Sequence, residues 1–431
     1  MPSQLASSGD GYLEDDCPLM PDGSKWNGLN LLDLLKRDQS PFGPTWDVNL
    51  LLQEVEEKLG AKVIDVPRVY NRAGNYVRQD INLILSDQRR VLARLANADV
   101  NMPNYGGTPL DWLHKDLDFE VAIYGLLQNA PGIPTDRLLH YRYPLQHTEV
   151  KHGMPKDITG RWLMIFEIAQ GERQLWFDLD QRQRMSTLAN AAKIHAALLK
   201  LELPRKFVNE WLRNLPSVEL KPRELPHATR DFWIAIFKAK VERVIGNEGD
   251  MIGRSTNKET VGPKALAAKK SLLRLIPLIL PEGNEAVLYR PVLQHDNFSA
   301  DNILNLVSET GETSITSVFG WEAGTIVPLV LSEVMFVNGF LLTIDAHGKP
   351  ATLPLSSNLS RPEEWDKNEE YAAEFLKEVK RQAPDLEDAI RKAKHARYIW
   401  MKLRHWSGKR PEEFFGRLGD WAEDFMERGM K

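Results

Sequence analysis

Between Val292 and Pro328 the chain reads VLQHDNFSADNILNLVSETGETSITSVFGWEAGTIVP, a stretch whose polar residues are crowded enough to support chemistry. His295, Asp296, Asn297, Asp301 and Asn302 lie close together, and Glu322 follows a Ser/Thr-rich segment. Carboxylate and amide oxygens are the ligands that hard cations such as Mg²⁺ accept. A carboxylate or an imidazole can take a proton from a hydroxyl; an amide cannot. Other constellations are thin. His114, His140, His147 and His152 are scattered without metal-ligand spacing, and no Gly-x-Ser-x-Gly, Walker loop or zincin motif occurs. Cys17 is the single cysteine, which excludes an intrachain disulfide framework and a Cys-cluster metal site.

The polypeptide that must position these groups has 431 residues, enough for about two or three packing units. Hydrophobic residues make up 42% and charged residues 27%, which excludes a disordered, collagen-like or rod-like chain. Lys+Arg 55 against Asp+Glu 60 leaves a net charge of −5. Proteins that track phosphate backbones carry a basic excess, so no nucleic-acid partner is expected. The apolar runs Ser271–Leu280 and Val327–Leu342 are short or broken by charge and proline, and a spanning helix needs about 20 apolar residues. The acidic, Gly/Ser-rich segment before Trp26 has the pattern of neither a signal peptide nor a presequence. A cytoplasmic protein with no membrane contact and a mobile tail over residues 1–25 is the expectation.

Helical spacing of leucines covers Trp26–Leu59, interrupted by Ser40-Pro41-Phe42-Gly43-Pro44. From Lys62 the pattern turns to short Val/Ile/Leu/Tyr runs over Val63–Val66, Val69–Asn71, Tyr76–Leu85 and Arg90–Leu95, separated by turn residues. A helix over Asp118–Gln128 and a strand over Arg161–Ile168 follow. Helices are then expected over Asp180–Leu201, Arg230–Ile245 and Pro263–Leu280, with a polar loop at Gly246–Gly262. Short strands are expected at Val287–Leu293, Ile303–Val307 and Ser314–Phe319, and helices over Pro362–Met430. Asp178 and Asp180 read as caps for the helix starting near Gln181. Core packing is the expected use of Trp365, Trp400, Trp406 and Trp421. A small β-rich unit and a larger helical one suggest two lobes, with a cleft suited to a nucleotide and a small substrate. A two-lobed interaction protein has the same pattern.

The Val292–Pro328 segment resembles the phosphotransferase signature of the aminoglycoside phosphotransferase and choline kinase-like families, small-molecule relatives of protein kinases. Their catalytic loop has the form His-x-Asp-x-x-x-x-Asn-Ile-Leu, and a second strand carries Ile-Asp-Trp-Glu before a short run to proline. His295, Asn302-Ile303-Leu304, Ile315–Phe319, Trp321-Glu322 and Pro328 fall in step. Upstream, Arg90–Leu95 resembles the family's Val-Val-Ala-Arg strand. Glu120 stands in place of its ion-pairing acid, Ile133-Pro134 at the entry to its next strands, and Trp162–Gly171 at its hinge. The likeness runs over about Lys62–Pro328.

It implies an α+β, protein-kinase-like two-lobed fold: a helical extension over 26–61, an N-lobe over 62–167, and a helical C-lobe over 168–431 carrying the loop-like segment 292–328. It implies ATP and Mg²⁺ as cofactors. Arg94 and Glu120 would face the nucleotide or pair with each other, and Gly74 and Asn75 would form an abbreviated phosphate loop. Asn302 and Glu322 would be the metal-facing residues. Phosphoryl transfer also demands a carboxylate near the substrate hydroxyl and another on the metal. The corresponding positions are Asn297 and Gly320. Asp296 lies one residue early, and His295 is implied to fix the loop by hydrogen bonding.

The expectation is therefore a pseudokinase-like module holding a nucleotide or small molecule in its cleft. One alternative is an active ATP-dependent kinase of small-molecule hydroxyls, with Asp296 or Glu322 compensating. Another is an enzyme of small-molecule metabolism doing non-phosphoryl chemistry, such as a cyclisation, in a pocket shaped by some of its aromatics.

Overall fold

The structure is a computed structural model that describes residues 18–72, 78–102, 105, 109–147, 157–212, 228–245, 258–345, 348–354, 365–404, 406 and 410–429. The expected loop residues Gly74 and Asn75, most of the tail, His152 and residues 246–257 of the polar loop lie outside the described residues.

Two helices come first, α1 (Leu31–Lys36) and α2 (Val48–Leu59), parted by the expected Ser-Pro-Phe-Gly-Pro break. Asp47 caps α2 by accepting from the Asn49 N–H. Three strands follow, β1 (Val63–Arg72), β2 (Arg78–Leu85) and β3 (Arg90–Ala96). The two runs expected around Val66 and Val69 are one bulged strand. Helix α3 (Leu110–Leu127) starts earlier than expected, and β4 (Arg137–Arg142) and β5 (Leu163–Glu167) complete an antiparallel sheet of order β1-β2-β3-β5-β4.

Strand alternation splits this sheet cleanly. Ile81, Leu83, Val91, Ala93, Leu95, Leu163 and Ile165 point to one face, where Trp26, Leu31, Phe42, Trp46, Leu51 and Val55 bury them. The N-terminal helices therefore complete the sheet's own core. Met164 and Phe166 point to the other face and join Phe119, Ile123 and Tyr124 of α3 in the larger core. Arg78, Asp80 and Arg94 also lie on buried strand positions. Register sets Asp80 opposite Arg94.

The helical part comprises α4 (Gln181–Lys200), α5 (Arg205–Trp211), α6 (Arg230–Val244), α7 (Lys258–Ile279) and the single turn α8 (Glu285–Leu288). Asp180 and Gln183 form a reciprocal capping box at α4. Two short ladders interrupt the helices: β6 (Pro291–His295) pairs with β9 (Gly324–Pro328), and β7 (Ile303–Val307) with β8 (Thr313–Val318). The strand expected at Val287–Leu293 is thus corrected: Val287 and Leu288 close a helical turn, and pairing begins only at Pro291.

A further sheet, β10 (Phe336–Val337), β11 (Phe340–Ile344) and β12 (Pro350–Pro354), precedes α9 (Trp365–Gln382), α10 (Asp385–Lys392), α11 (Lys394–Arg404) and α12 (Pro411–Gly429). Trp400 and Trp406 are buried in the core and Trp421 packs against it. Helix α12 lies along α7 so closely that a Cβ on Gly419 would come within 3.2 Å of the Ala268 Cα. Lys264–Glu412 at 2.8 Å and Arg274–Glu423 at 3.3 Å flank that contact. The whole is an α+β protein in which a five-stranded sheet with one crossing helix precedes a mainly helical body. That is the element order implied for a kinase-like fold.

Candidate functional site

The loop after β6 is held from inside by His295. Its Nδ1 accepts from the Asn297 N–H at 3.2 Å, and its Nε2 lies 3.0 Å from the Phe319 carbonyl. A carbonyl only accepts, so Nε2 carries the proton and the ring is neutral. Burial pushes the imidazole pKa down, in keeping with that form. His295 thus ties the turn at Asn297 to the strand end at Phe319, and its ring meets Trp321 edge-on at 4.7 Å.

Asn302 makes the second tie. Its Nδ2 donates to the Asn297 carbonyl at 2.9 Å, and its own carbonyl accepts from the Phe319 N–H at 3.0 Å. The amide side chain faces Gly320: a Cβ built there would meet Asn302 Oδ1 and Cγ at 3.3 Å. Gly320 has φ +84°, a left-handed conformation that glycine adopts without strain. Backbone geometry and space both favour glycine at this position. Asn297, Asn302 and Gly320 therefore converge, but as a hydrogen-bonded turn.

Glu322 is two residues further on, and its Oε1 receives Arg78 Nη2 at 3.2 Å. Arg78 comes from β2, so this contact joins the five-stranded sheet to the turn after β8. Arg78 Nε lies 3.3 Å from Asp80 Oδ1, and Arg94 Nε lies 3.7 Å from the same oxygen. Arg94 Nη1 reaches Glu120 Oε1 on α3 at 3.2 Å, while its guanidinium stacks 4.7 Å over Phe166. Of the two roles open to Arg94, the structure displays the salt bridge with Glu120. The arginine side chains are each 1% exposed.

Burial opposes the charge on Arg78, but Glu322 and Asp80 more than offset it and raise its pKa. Burial likewise opposes the charge on Arg94, and the surrounding acidic groups raise its pKa strongly. The result is one network of two guanidinium and three carboxylate groups crossing from sheet to loop.

Asp296 faces elsewhere. It accepts from Gln294 Nε2 at 2.9 Å and pairs with Arg404 Nη2 of α11 at 2.8 Å. Arg404 also holds Glu333. Burial raises the Asp296 pKa, while Arg404 acts against the rise. Asp296, which the active-kinase alternative would use as a compensating carboxylate, is thus engaged behind the loop, beside α11, and Asn297 keeps its register.

The residues present do not fit a nucleotide-bound Mg²⁺. Gly320 supplies no side-chain oxygen, and Glu322 is engaged by Arg78. Among the described residues, no group of three or more His, Cys, Asp or Glu side chains could hold a metal ion.

Sequence reasoning alone misses Arg78 and Asp80. Their signal is local: two charges at alternate positions in RQDINLIL, on one face of a strand otherwise rich in Ile and Leu. No helix among the described residues is long and apolar enough to cross a membrane.

No family model matches the chain, and neither does any curated protein. Solved structures of similar shape include ADP-bound aminoglycoside phosphotransferase APH(2'')-Ib, 12% identical, with 88% of this chain and 99% of that one covered and a TM-score of 0.44. The streptomycin–ATP–APH(2")-IIa ternary complex is 11% identical, with 87% and 95% covered and a TM-score of 0.41. Macrolide 2'-phosphotransferase MphH from Brachybacterium faecium, as apoenzyme, is 12% identical, with 86% and 97% covered and a TM-score of 0.39.

Proposed function

We propose that this chain is a kinase-fold binding module that has given up metal-dependent phosphoryl transfer and takes a small organic ligand between sheet and helical body. The observation that carries the reading is the Arg78–Glu322 pair at 3.2 Å. It places a buried cation against the carboxylate that a metal would need. Phosphoryl transfer depends on electrostatic stabilisation by metal and positioned charge. Here the counter-charge to Glu322 is supplied by the protein itself. Asn297 cannot accept a proton from a substrate hydroxyl, and Asp296 is bound to Arg404.

Two measurements test this. Thermal shift with ATP, with and without Mg²⁺, is expected to give no metal-dependent stabilisation. ATP turnover against a panel of amino alcohols and aminoglycosides is expected to stay at background. A Mg²⁺-dependent shift accompanied by turnover that Asp296→Ala abolishes would overturn the proposal in favour of an active kinase. A co-purified metabolite seated at Asn297 and Gly320, and converted on incubation, would replace it with non-phosphoryl catalysis.

A further inference from the structure

Helices α11 and α12 border an open cavity of about 350 Å³, at the lower end of ordinary ligand pockets. Its charged lining is Lys402 of α11, Arg410 just before α12, and Glu413 and Arg417 of α12. Lys402 stands two positions from Arg404, about 200° round the helix, so the cavity lies across α11 from Asp296 and the loop after β6. Three cations meet one carboxylate there, in a chain whose net charge is −5. The carboxylate is shared: Glu413 lies 2.5 Å from Arg417 Nη2 and 3.6 Å from Arg410 Nη1. Glu412, in the same turn, pairs instead with Lys264 of α7.

Tyr398, Phe414 and Leu418 supply the apolar part of the lining. They are braced by the core: Phe414 stacks on Trp406 at 4.5 Å, Tyr398 lies 4.9 Å from Trp421, and Leu418 is buried. Lys402 Nζ sits 5.7 Å from the centre of the Tyr398 ring. Arg410 holds a left-handed φ of +47°, which costs energy for a residue with a Cβ. Its carbonyl accepts from the Phe414 N–H at 3.0 Å, so the strained residue is the one that starts α12 and brings a guanidinium to the cavity.

We propose that this cavity is a second ligand site, separate from the cleft between sheet and helical body, and that it takes a small aryl phosphate. The excess of two positive charges matches a phosphate monoester, which carries a charge of about −1.5 to −2 at pH 7. The forked guanidinium groups of Arg410 and Arg417 suit phosphate oxygens, and Lys402 adds a point charge. Tyr398 and Phe414 receive the ring, since aromatic pairs gain beyond the area they bury. Glu413 presets the two arginines in the empty cavity and repels the bound anion. The ligand therefore competes with Glu413 for them.

Isothermal titration calorimetry of the full chain with phenyl phosphate, inorganic phosphate and phenol tests the proposal. Phenyl phosphate is expected to bind with a Kd on the order of 0.1 mM, and the other two at least about tenfold more weakly. Arg417→Gln and Lys402→Gln should each raise that Kd about fivefold. Arg410→Gly should do the same without loss of stability, because glycine adopts the left-handed backbone freely. The Arg410 and Arg417 side chains are 84% and 80% exposed, so these changes leave the fold intact. Glu413→Gln is expected to tighten binding about fivefold by removing the repelling charge, a gain that a merely structural role does not produce. Absence of phenyl phosphate binding overturns the proposal. So does binding that all three cation substitutions leave unchanged, which would place the ligand elsewhere, or inorganic phosphate or phenol binding as tightly as phenyl phosphate.

Discussion

Removal of Arg78 is the perturbation with the largest expected effect. Its side chain is 1% exposed and its guanidinium touches both Asp80 and Glu322. Arg78→Met keeps most of the apolar stem but deletes the charge. Three carboxylates, Asp80, Glu120 and Glu322, would then surround the single guanidinium of Arg94. Breaking a buried ion pair from one side costs about 3–5 kcal/mol, because the remaining charges lose their compensation. In urea, with a slope of about 3 kcal/mol/M, that lowers the unfolding midpoint by about 1–1.7 M. Adding Glu322→Gln removes one orphaned carboxylate. The double variant is expected to regain about 1–2 kcal/mol over Arg78→Met, with Asp80 still facing the vacated position. Urea titrations followed by tryptophan fluorescence and circular dichroism measure both quantities. A midpoint for Arg78→Met within about 0.3 M of wild type, or strictly additive effects in the double variant, would refute the network argument.

Gly320→Ala is expected to lose about 1–2 kcal/mol, since a Cβ is disfavoured at positive φ and would press on the Asn302 amide; chemical denaturation checks it. Burial holds the His195 imidazole at about 4 against an ordinary 6.5. The unfolded chain therefore binds this proton more readily, so the contribution is complete above pH 6.5 and lost as pH falls toward 4. The loss is on the order of 3 kcal/mol, and in parallel stability–pH curves His195→Gln should lack that component. Asp180→Ala removes the capping box of α4 and should cost about 1 kcal/mol; a melting temperature equal to that of wild type would count against the cap.

The legibility of this chain in sequence varies with the physics of each segment. The strands β2 and β3 are readable because turn residues bracket them and one face alternates. The break between α1 and α2 is readable because proline and glycine cannot continue a helix. By contrast, β11 is buried along its whole length. It carries no alternation, so its start is lost in the apolar run Val327–Leu342. The start of α3 escapes notice because Pro109 and Leu110 give no capping side chain. In the site, His295, Asn297 and Asn302 are found because the segment that carries them falls in step with the signature it resembles, although the ties of His295 and Asn302 to Phe319 span 24 and 17 positions. Arg78 and Glu322 are 244 positions apart, and no periodicity records such a pairing. The engagement of Asp296 by Arg404 is hidden for the same reason.

The seating of α12 on α7 has a consequence for synthesis. The ribosome delivers the end of α7 roughly 130 residues before the start of α12. At about 5–20 residues per second, that is an interval of the order of ten seconds. Throughout it Ala268, buried in the finished molecule and packed there against Gly419, lacks the helix that finally covers it. The helical body consequently closes late, after its last helix has left the exit tunnel. A nascent chain halted before Pro411 would present that face of α7 to chaperones and proteases, whereas the five-stranded sheet and its amino-terminal helices would already have their own core.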